Sequence, residues 1–270
     1  MSAYQINDIE FDQLRKLLYA NAGIVLNDSK KILLTGRLAK RLNALGLATY
    51  NQYFKYVSDS QHQDELDFMV DLLTTNETYF FREPKHFDFL RDEVLPTVKP
   101  GQPFRVWSAA SSIGAEAYTI AMLLADGLGE SGAWDILGTD ISNSVLEKAR
   151  LGVYSINEAE KIPPQYLKKY CLKGVRTQEG TLQIDRRLRQ RVRFEKTNLI
   201  ADRFTKPGDF DVIFLRNVLI YFDTPTKAKV VGNLLPCLKR GGYLIVGHSE
   251  TLNGVTAALP QVRPTIYQKS

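Results

Sequence analysis

The chain is predicted to be an α/β protein. A mostly parallel, helix-covered sheet follows an all-helical N-terminal domain and carries a small β-rich insertion. Three observations predict this. Residues 1–90 repeat apolar side chains at helical spacing, and nothing there alternates like a strand. After Pro96 and Pro100-Gly101, short apolar strand-like runs alternate with helical ones, the signature of a parallel sheet covered on both faces. The stretch of about 155–190 breaks this rhythm with Pro163-Pro164, Gly174, Gly180 and an alternating Thr181–Ile184 run, which predicts a hairpin-bearing insertion. The expected domains are 1–90 and 91–270, with the insertion inside the second.

Taken in order, Ile9, Phe11, Leu14, Leu17 and Leu18 mark a first helix that ends at the Asn21–Gly23 break. Asp28 or Ser29 is the expected N-cap of the next, which runs to about Leu45 and stops at Gly46. Leu34, Leu38, Leu42 and Leu45 form its apolar stripe, while Lys30, Arg37 and Arg41 share a neighbouring face as a basic ridge. Further helices are expected at about 49–58 and 62–73. Beyond Gly101 the expected order is strand Phe104–Ser108, helix Glu116–Leu128, strand Ile136–Thr139 and helix Asn143–Leu151. After the insertion come strands Val192–Glu195 and Asp211–Leu215, helix Thr224–Leu238, strand Tyr243–Val246 and a last strand near Thr265–Gln268.

Composition narrows the function classes. With 270 residues, 44% apolar and 24% charged, the chain has the profile of a globular protein with ample core. No apolar run reaches the roughly 18 residues that cross a bilayer. The N-terminal MSAYQINDIEFDQL carries three acids and no basic region, so no secretory signal is expected. Cys171 and Cys237 lie far apart without Cys/His spacing, which points to a reducing, cytoplasmic compartment and away from structural zinc. His62, His86 and His248 are not expected to form a constellation, and no metal site is expected. The net charge is +5, and no acid lies between Asp28 and Asp59, so that window attracts an acidic partner or is simply a solvated face.

The chemistry concentrates at predicted strand ends. Phe104-Arg-Val-Trp-Ser-Ala-Ala-Ser-Ser-Ile-Gly-Ala-Glu-Ala-Tyr118 runs from a strand through small residues into a helix. Small side chains admit a ligand close to the backbone, beside unpaired N–H groups at the helix start. The second strand ends in Gly138-Thr-Asp140, and a carboxylate there can accept from both hydroxyls of a ribose. The competing reading of Asp140 is a helix cap. The G-x-G-x-x-G match at Gly127-Leu-Gly-Glu-Ser-Gly132 ends a predicted helix instead of opening one after a strand, which weakens a dinucleotide reading, and no P-loop is present, which excludes that phosphate loop.

Five segments in order resemble the CheR family of chemotaxis receptor glutamate methyltransferases, within the class I S-adenosylmethionine methyltransferases. They are Leu73–Glu83, Trp107–Ser111, Thr139–Ser142, Phe214–Asp223 and Gly247–Thr251. The resemblance spans residues 10–268 and implies a Rossmann-like class I sheet. By it, Asn76, Thr78 and Arg82 reach cofactor and acceptor from a link between the domains. Glu116 takes the methionyl amino group, Asp140 the ribose, and Asn198 and Leu199 border the adenine. Arg216 and Asn217 contact the methionine end, and Tyr221 sits beside the transferring methyl, with Arg82 and Tyr221 as catalytic residues. The first motif departs from the family's commoner form at Ala115 and Ala117, which stand where an acid and a proline are typical.

The resemblance implies methyl transfer from S-adenosylmethionine to a glutamyl carboxylate, leaving S-adenosylhomocysteine. It also implies chemoreceptor cytoplasmic helices as partners of Lys30, Arg37 and Arg41, and a receptor C-terminal tail as a partner of the β-rich insertion. A monomer is expected, with no nucleic acid and no membrane insertion. The competing readings are a methyltransferase of RNA or a small molecule, and a cofactor-binding adaptor without catalysis. The first lacks an aromatic base-stacking motif beside the basic run. Against the second stand Arg82, Asp140, Asn217 and Tyr221.

Overall fold

The computed structural model describes residues 4–270. The chain divides into two compact units, one running to Thr75 and taking in Tyr221–Thr226, the other made of Asn76–Ile220 and Lys227–Ser270. The division therefore precedes the expected 90/91 boundary. The reason is aromatic: Phe80, Phe87 and Phe89 are buried in the same core as Phe214 of the sheet.

In the first unit, helices α1 (Asp8–Ala22), α2 (Lys31–Leu45), α3 (Tyr50–Val57) and α4 (Gln63–Leu73) bury Leu14, Leu18, Leu34, Leu38, Leu42 and Met69. Asn7 and Glu10 close a capping box on α1, and the second Glu10 oxygen accepts from Asn51 N at 2.9 Å. Gly46 ends α2 in the left-handed conformation, as expected. The cap at its start differs: Asp28–Lys30 forms a 3-10 turn and Ser29 Oγ donates to Asn27, so neither Asp28 nor Ser29 caps the helix.

The expected basic ridge is mostly engaged within this unit. Arg37 donates from one nitrogen to the carbonyls of Leu72 (2.9 Å) and Thr74 (2.8 Å). Arg41 Nε reaches both oxygens of buried Glu65 at 2.8 and 2.9 Å, and Tyr53 donates to the same carboxylate at 2.9 Å. Of the three, Lys30 is exposed. The spacing is helical as expected, but these guanidinium groups are held by α4 and the chain just beyond it.

The second unit opens with α5 (Pro84–Phe89), continued by a π turn over Leu90–Val94. The main sheet is built from β1 (Phe104–Ala109), β2 (Trp134–Asp140), β6 (Val192–Lys196), β7 (Phe210–Leu215), β8 (Leu238–Val246), β9 (Gln261–Arg263) and β10 (Ile266–Gln268). Their spatial order is β6-β2-β1-β7-β8-β10-β9. The pairs from β6 to β8 are parallel, and β10 is antiparallel to both β8 and β9. Helices α6 (Ala115–Gly127), α7 (Asn143–Leu151) and α10 (Thr224–Leu234) alternate with the strands. Since β2 and β7 flank β1, the chain reverses its winding direction there, and ligands of such sheets sit at the carboxyl rim of that point.

The insertion is a three-stranded antiparallel sheet in the order β3-β5-β4, from β3 (Val153–Ser155), β4 (Cys171–Lys173) and β5 (Thr181–Ile184). It is joined by α8 (Pro164–Tyr170) and followed by α9 (Arg186–Arg189). Expected strands and helices of the sheet match within a few residues, except that the expected helix to Leu238 ends at Leu234, the strand expected from Tyr243 begins at Leu238, and α5 and β9 have no expected counterpart.

Candidate active site

The loop after β1 turns through three left-handed residues, Ala110, Ser112 and Gly114. Gly114 is required twice over: its φ is +85°, and a Cβ would lie 2.9 Å from both Ala149 and Phe194. Its smallness thus serves packing as well as any ligand. Both departures from the family motif, Ala115 and Ala117, are completely buried, so an acid or a proline there would face core.

Asp140, at the tip of β2, is buried and accepts from two backbone amides, Ser112 N at 2.9 Å and Ser142 N at 3.0 Å. The cap of α7 is not Asp140 but Ser142, whose hydroxyl accepts from Val145 N at 3.2 Å. Ser112 Oγ donates to the Asn76 carbonyl at 2.9 Å, joining the segment that begins this unit to the β1 loop. One strand over, Lys196 pairs with Asp140, so Asn198 and Leu199 follow at the same rim. There Asn198 accepts from Ile200 N at 3.1 Å and Leu199 is buried.

The second cluster forms at the tip of β7. Arg216 is buried and donates to Glu116 Oε2 (2.8 Å), to Glu83 Oε2 (3.0 Å) and to the Arg82 carbonyl. Glu116 also accepts from Ser108 Oγ at 2.7 Å. Asn217, left-handed at φ +57°, donates through Nδ2 to Glu83 Oε1 at 3.0 Å and through its backbone to Glu250 Oε2 at 2.9 Å. Glu250 accepts further from Gly247 N (2.6 Å) and Ile220 N (3.2 Å), and burial pushes its carboxyl above the usual range. Burial would likewise raise Glu83, but the Asn217 amide and Arg216 guanidinium hold it down to about 2. Burial, with Arg216 close by, pushes His86 down to about 3.

The resemblance implies that Arg82 reaches cofactor and acceptor from a link between the domains. In the structure it belongs to the sheet unit and donates to the Glu77 carbonyl at 2.7 Å, while Glu83 pairs with Arg216. Asn76 and Thr78 are half-buried in the same segment. Tyr221 falls in the helical unit, where its carbonyl accepts from Val25 N at 2.9 Å.

Sequence reading missed Glu83, Glu250 and the two histidines near them. The rings of His86 and His248 lie 4.8 Å apart. Separated by most of the chain, they carried no local spacing signal. The Gly247-His-Ser-Glu250 run was the one available hint to Glu250 and His248.

The chain is similar to known methyltransferases over nearly its whole length. A chemotaxis protein methyltransferase of Escherichia coli K12 is 40% identical over 266 residues, spanning 98% of this chain and 92% of its own. Its namesake in Salmonella typhimurium is 39% identical, spanning 98% and 91%. That of Borreliella burgdorferi is 37% identical, spanning 97% and 94%. The all-alpha domain of CheR methyltransferases matches residues 9–74 and their SAM-binding domain matches 76–268. The chain therefore belongs to the CheR methyltransferase family, and it is an S-adenosylmethionine-dependent methyltransferase.

Proposed function

We propose that this enzyme methylates glutamate side chains on the cytoplasmic helices of chemoreceptors, forming glutamyl methyl esters in sensory adaptation. The observation that carries the reading is the convergence of Asp140, Glu116, Arg216 and Asn217 on one strand rim of a CheR-family chain. That rim fits the cofactor: the buried Ser111 hydroxyl and Arg216 Nε have no hydrogen-bond partner, and each is polar and at a strand tip.

When bound, S-adenosylmethionine supplies an electrophilic methyl group and leaves as S-adenosylhomocysteine. Asp140 would hold the ribose hydroxyls, its orientation already fixed by Ser112 N and Ser142 N. Glu116, held by Ser108 and Arg216, would take the methionyl amino group, with Asn217, Asn76 and Thr78 around that end. Asn198 and Leu199 would border the adenine. A glutamate with a pKa of about 4.3 is already ionised at neutral pH, so no residue need remove a proton. Catalysis then rests on alignment and water exclusion. Arg82 and Tyr221 are proposed to orient the incoming carboxylate; pairing that is too tight would stabilise the ground state instead.

Lys30, with Arg37 and Arg41 behind it, is proposed to meet the acidic receptor helix. The insertion exposes Leu172 and Val175 beside the Gly174–Gly180 turn, which supports docking of a receptor tail peptide there. The enzyme is proposed to act as a cytoplasmic monomer; among the described residues no helix is long and apolar enough to cross a membrane. The test is transfer of labelled methyl to receptor cytoplasmic fragments. Alkali-labile label on glutamate is expected, and label elsewhere or none would refute the reading. Normal turnover in Arg82→Ala and Tyr221→Phe would remove those two residues from the mechanism.

A further inference from the structure

We propose that Glu83, His86 and His248 form a binding site for one divalent transition-metal ion of the zinc class. The inference starts from the protons. His86 Nε2 lies 2.8 Å from Thr265 Oγ1, and that hydroxyl donates its hydrogen to the Pro264 carbonyl at 2.7 Å. With the hydroxyl hydrogen on that carbonyl, its oxygen accepts and Nε2 carries the imidazole hydrogen. Nδ1 is left as a lone pair. It belongs to a side chain that is 2% exposed, and it has no hydrogen-bond partner. What it faces is Glu83 Oε2, 3.5 Å away, which is itself an acceptor. Oε2 already accepts from Arg216 and from His248 N, so the unsatisfied group is His86 Nδ1, and a metal ion held between it and Glu83 would give it a partner.

His248 supplies the third ligand. Its backbone N–H donates to Glu83 Oε2 at 3.2 Å, and one donor atom from each of the three residues lies within 4.8 Å of the others. Tetrahedral zinc, with Zn–N and Zn–O of about 2.0–2.2 Å, sets its ligand atoms roughly 3.3–3.6 Å apart. The Glu83–His86 separation already has this value. His248 is exposed, and the site requires its ring to turn about its side-chain bonds to close the remainder.

The surroundings suit the ion. Thr265 fixes the His86 tautomer that presents Nδ1, the arrangement in which a metal-bound histidine donates its other nitrogen to a neighbouring oxygen. Asn217 anchors Glu83 through Oε1 and leaves Oε2 directed at the histidines. Arg216 shares that oxygen, but it stands against two carboxylates, Glu83 and Glu116, so the cluster has a surplus negative charge to offer.

The test titrates the full chain, stripped with a chelator, with zinc chloride in a calorimeter and with Co2+ in a spectrophotometer. One saturable equivalent is expected, with the visible bands of nitrogen-ligated tetrahedral Co2+. His248→Gln, at an exposed position, should weaken binding roughly tenfold or more, and Thr265→Val should weaken it about 10- to 100-fold by releasing the tautomer. His86→Gln should abolish the Co2+ bands. If His86→Gln does not fold, His248→Gln and Thr265→Val decide between site and no site. Absence of saturable binding, or binding unchanged in His248→Gln and Thr265→Val, would overturn the proposal. Because these readouts need neither cofactor nor receptor, they are independent of the proposed methylation.

Discussion

The two units use charge in opposite ways. In the helical unit, arginines on α2 reach sideways and bind the protein itself: Arg37 takes two carbonyls, and Arg41 takes the buried Glu65 carboxylate. In the sheet unit, acids at the carboxyl rim are gripped by donors, with Asp140 at a strand tip held by two backbone amides and Glu116 in the first turn of α6 held by Ser108 and Arg216. A guanidinium used as a strut loses its freedom to meet a partner. A carboxylate held by fixed donors keeps its charge and further lone pairs in a set direction, as a preorganised ligand site requires. Similar side-chain chemistry thus makes a brace in one unit and a receptor for ligands in the other.

Substitutions test this contrast, beginning with the largest expected effect. Arg41→Ala removes the cation from the buried Glu65 carboxylate, leaving the Tyr53 hydroxyl as a donor, and should destabilise the protein by about 3 kcal/mol in urea unfolding, with cofactor affinity unchanged. Native stability in that variant would return Arg41 to the role of a free surface charge. Glu116→Gln should act the other way round, weakening S-adenosylmethionine binding by calorimetry about 10- to 100-fold for loss of one charged hydrogen bond. Arg37→Ala should cost about 1–2 kcal/mol of stability, for two carbonyls that lose their donor. Lys30→Glu should leave stability within about 0.5 kcal/mol yet lower the rate of receptor methylation. An unchanged rate would make that face a solvated surface.

The sheet unit was more legible than the helical one, for a physical reason. Strand ends announce themselves where an apolar run stops, so Asp140, Asn198, Arg216 and Asn217 could be placed on one rim from residue order alone. The α2 stripe was equally plain, because Leu34, Leu38 and Leu42 obey the helical period. What periodicity cannot tell is where a long cationic side chain ends. The partners of Arg37 and Arg41 lie on another helix and on the chain beyond it, at sequence separations that no local pattern encodes. Glu83 was hidden by a nearer candidate: it adjoins Arg82 in sequence but pairs with Arg216 across 133 residues. The unit boundary differs for the same reason, since residues to about 90 read as helical until the packing partners of Phe87 and Phe89 are known.

Glu250 has a consequence for how the rim moves. Its carboxylate gathers the amides of Gly247, Asn217 and Ile220 just where β7 and β8 stop exchanging ladder hydrogen bonds. It acts as a keystone, continuing in a side chain the rigidity that the sheet gives up. Asn217 and its neighbour Arg216 are therefore carried by the scaffold rather than by a mobile loop. Adjustment to an arriving substrate falls instead to parts of the enzyme that no such stone locks in place.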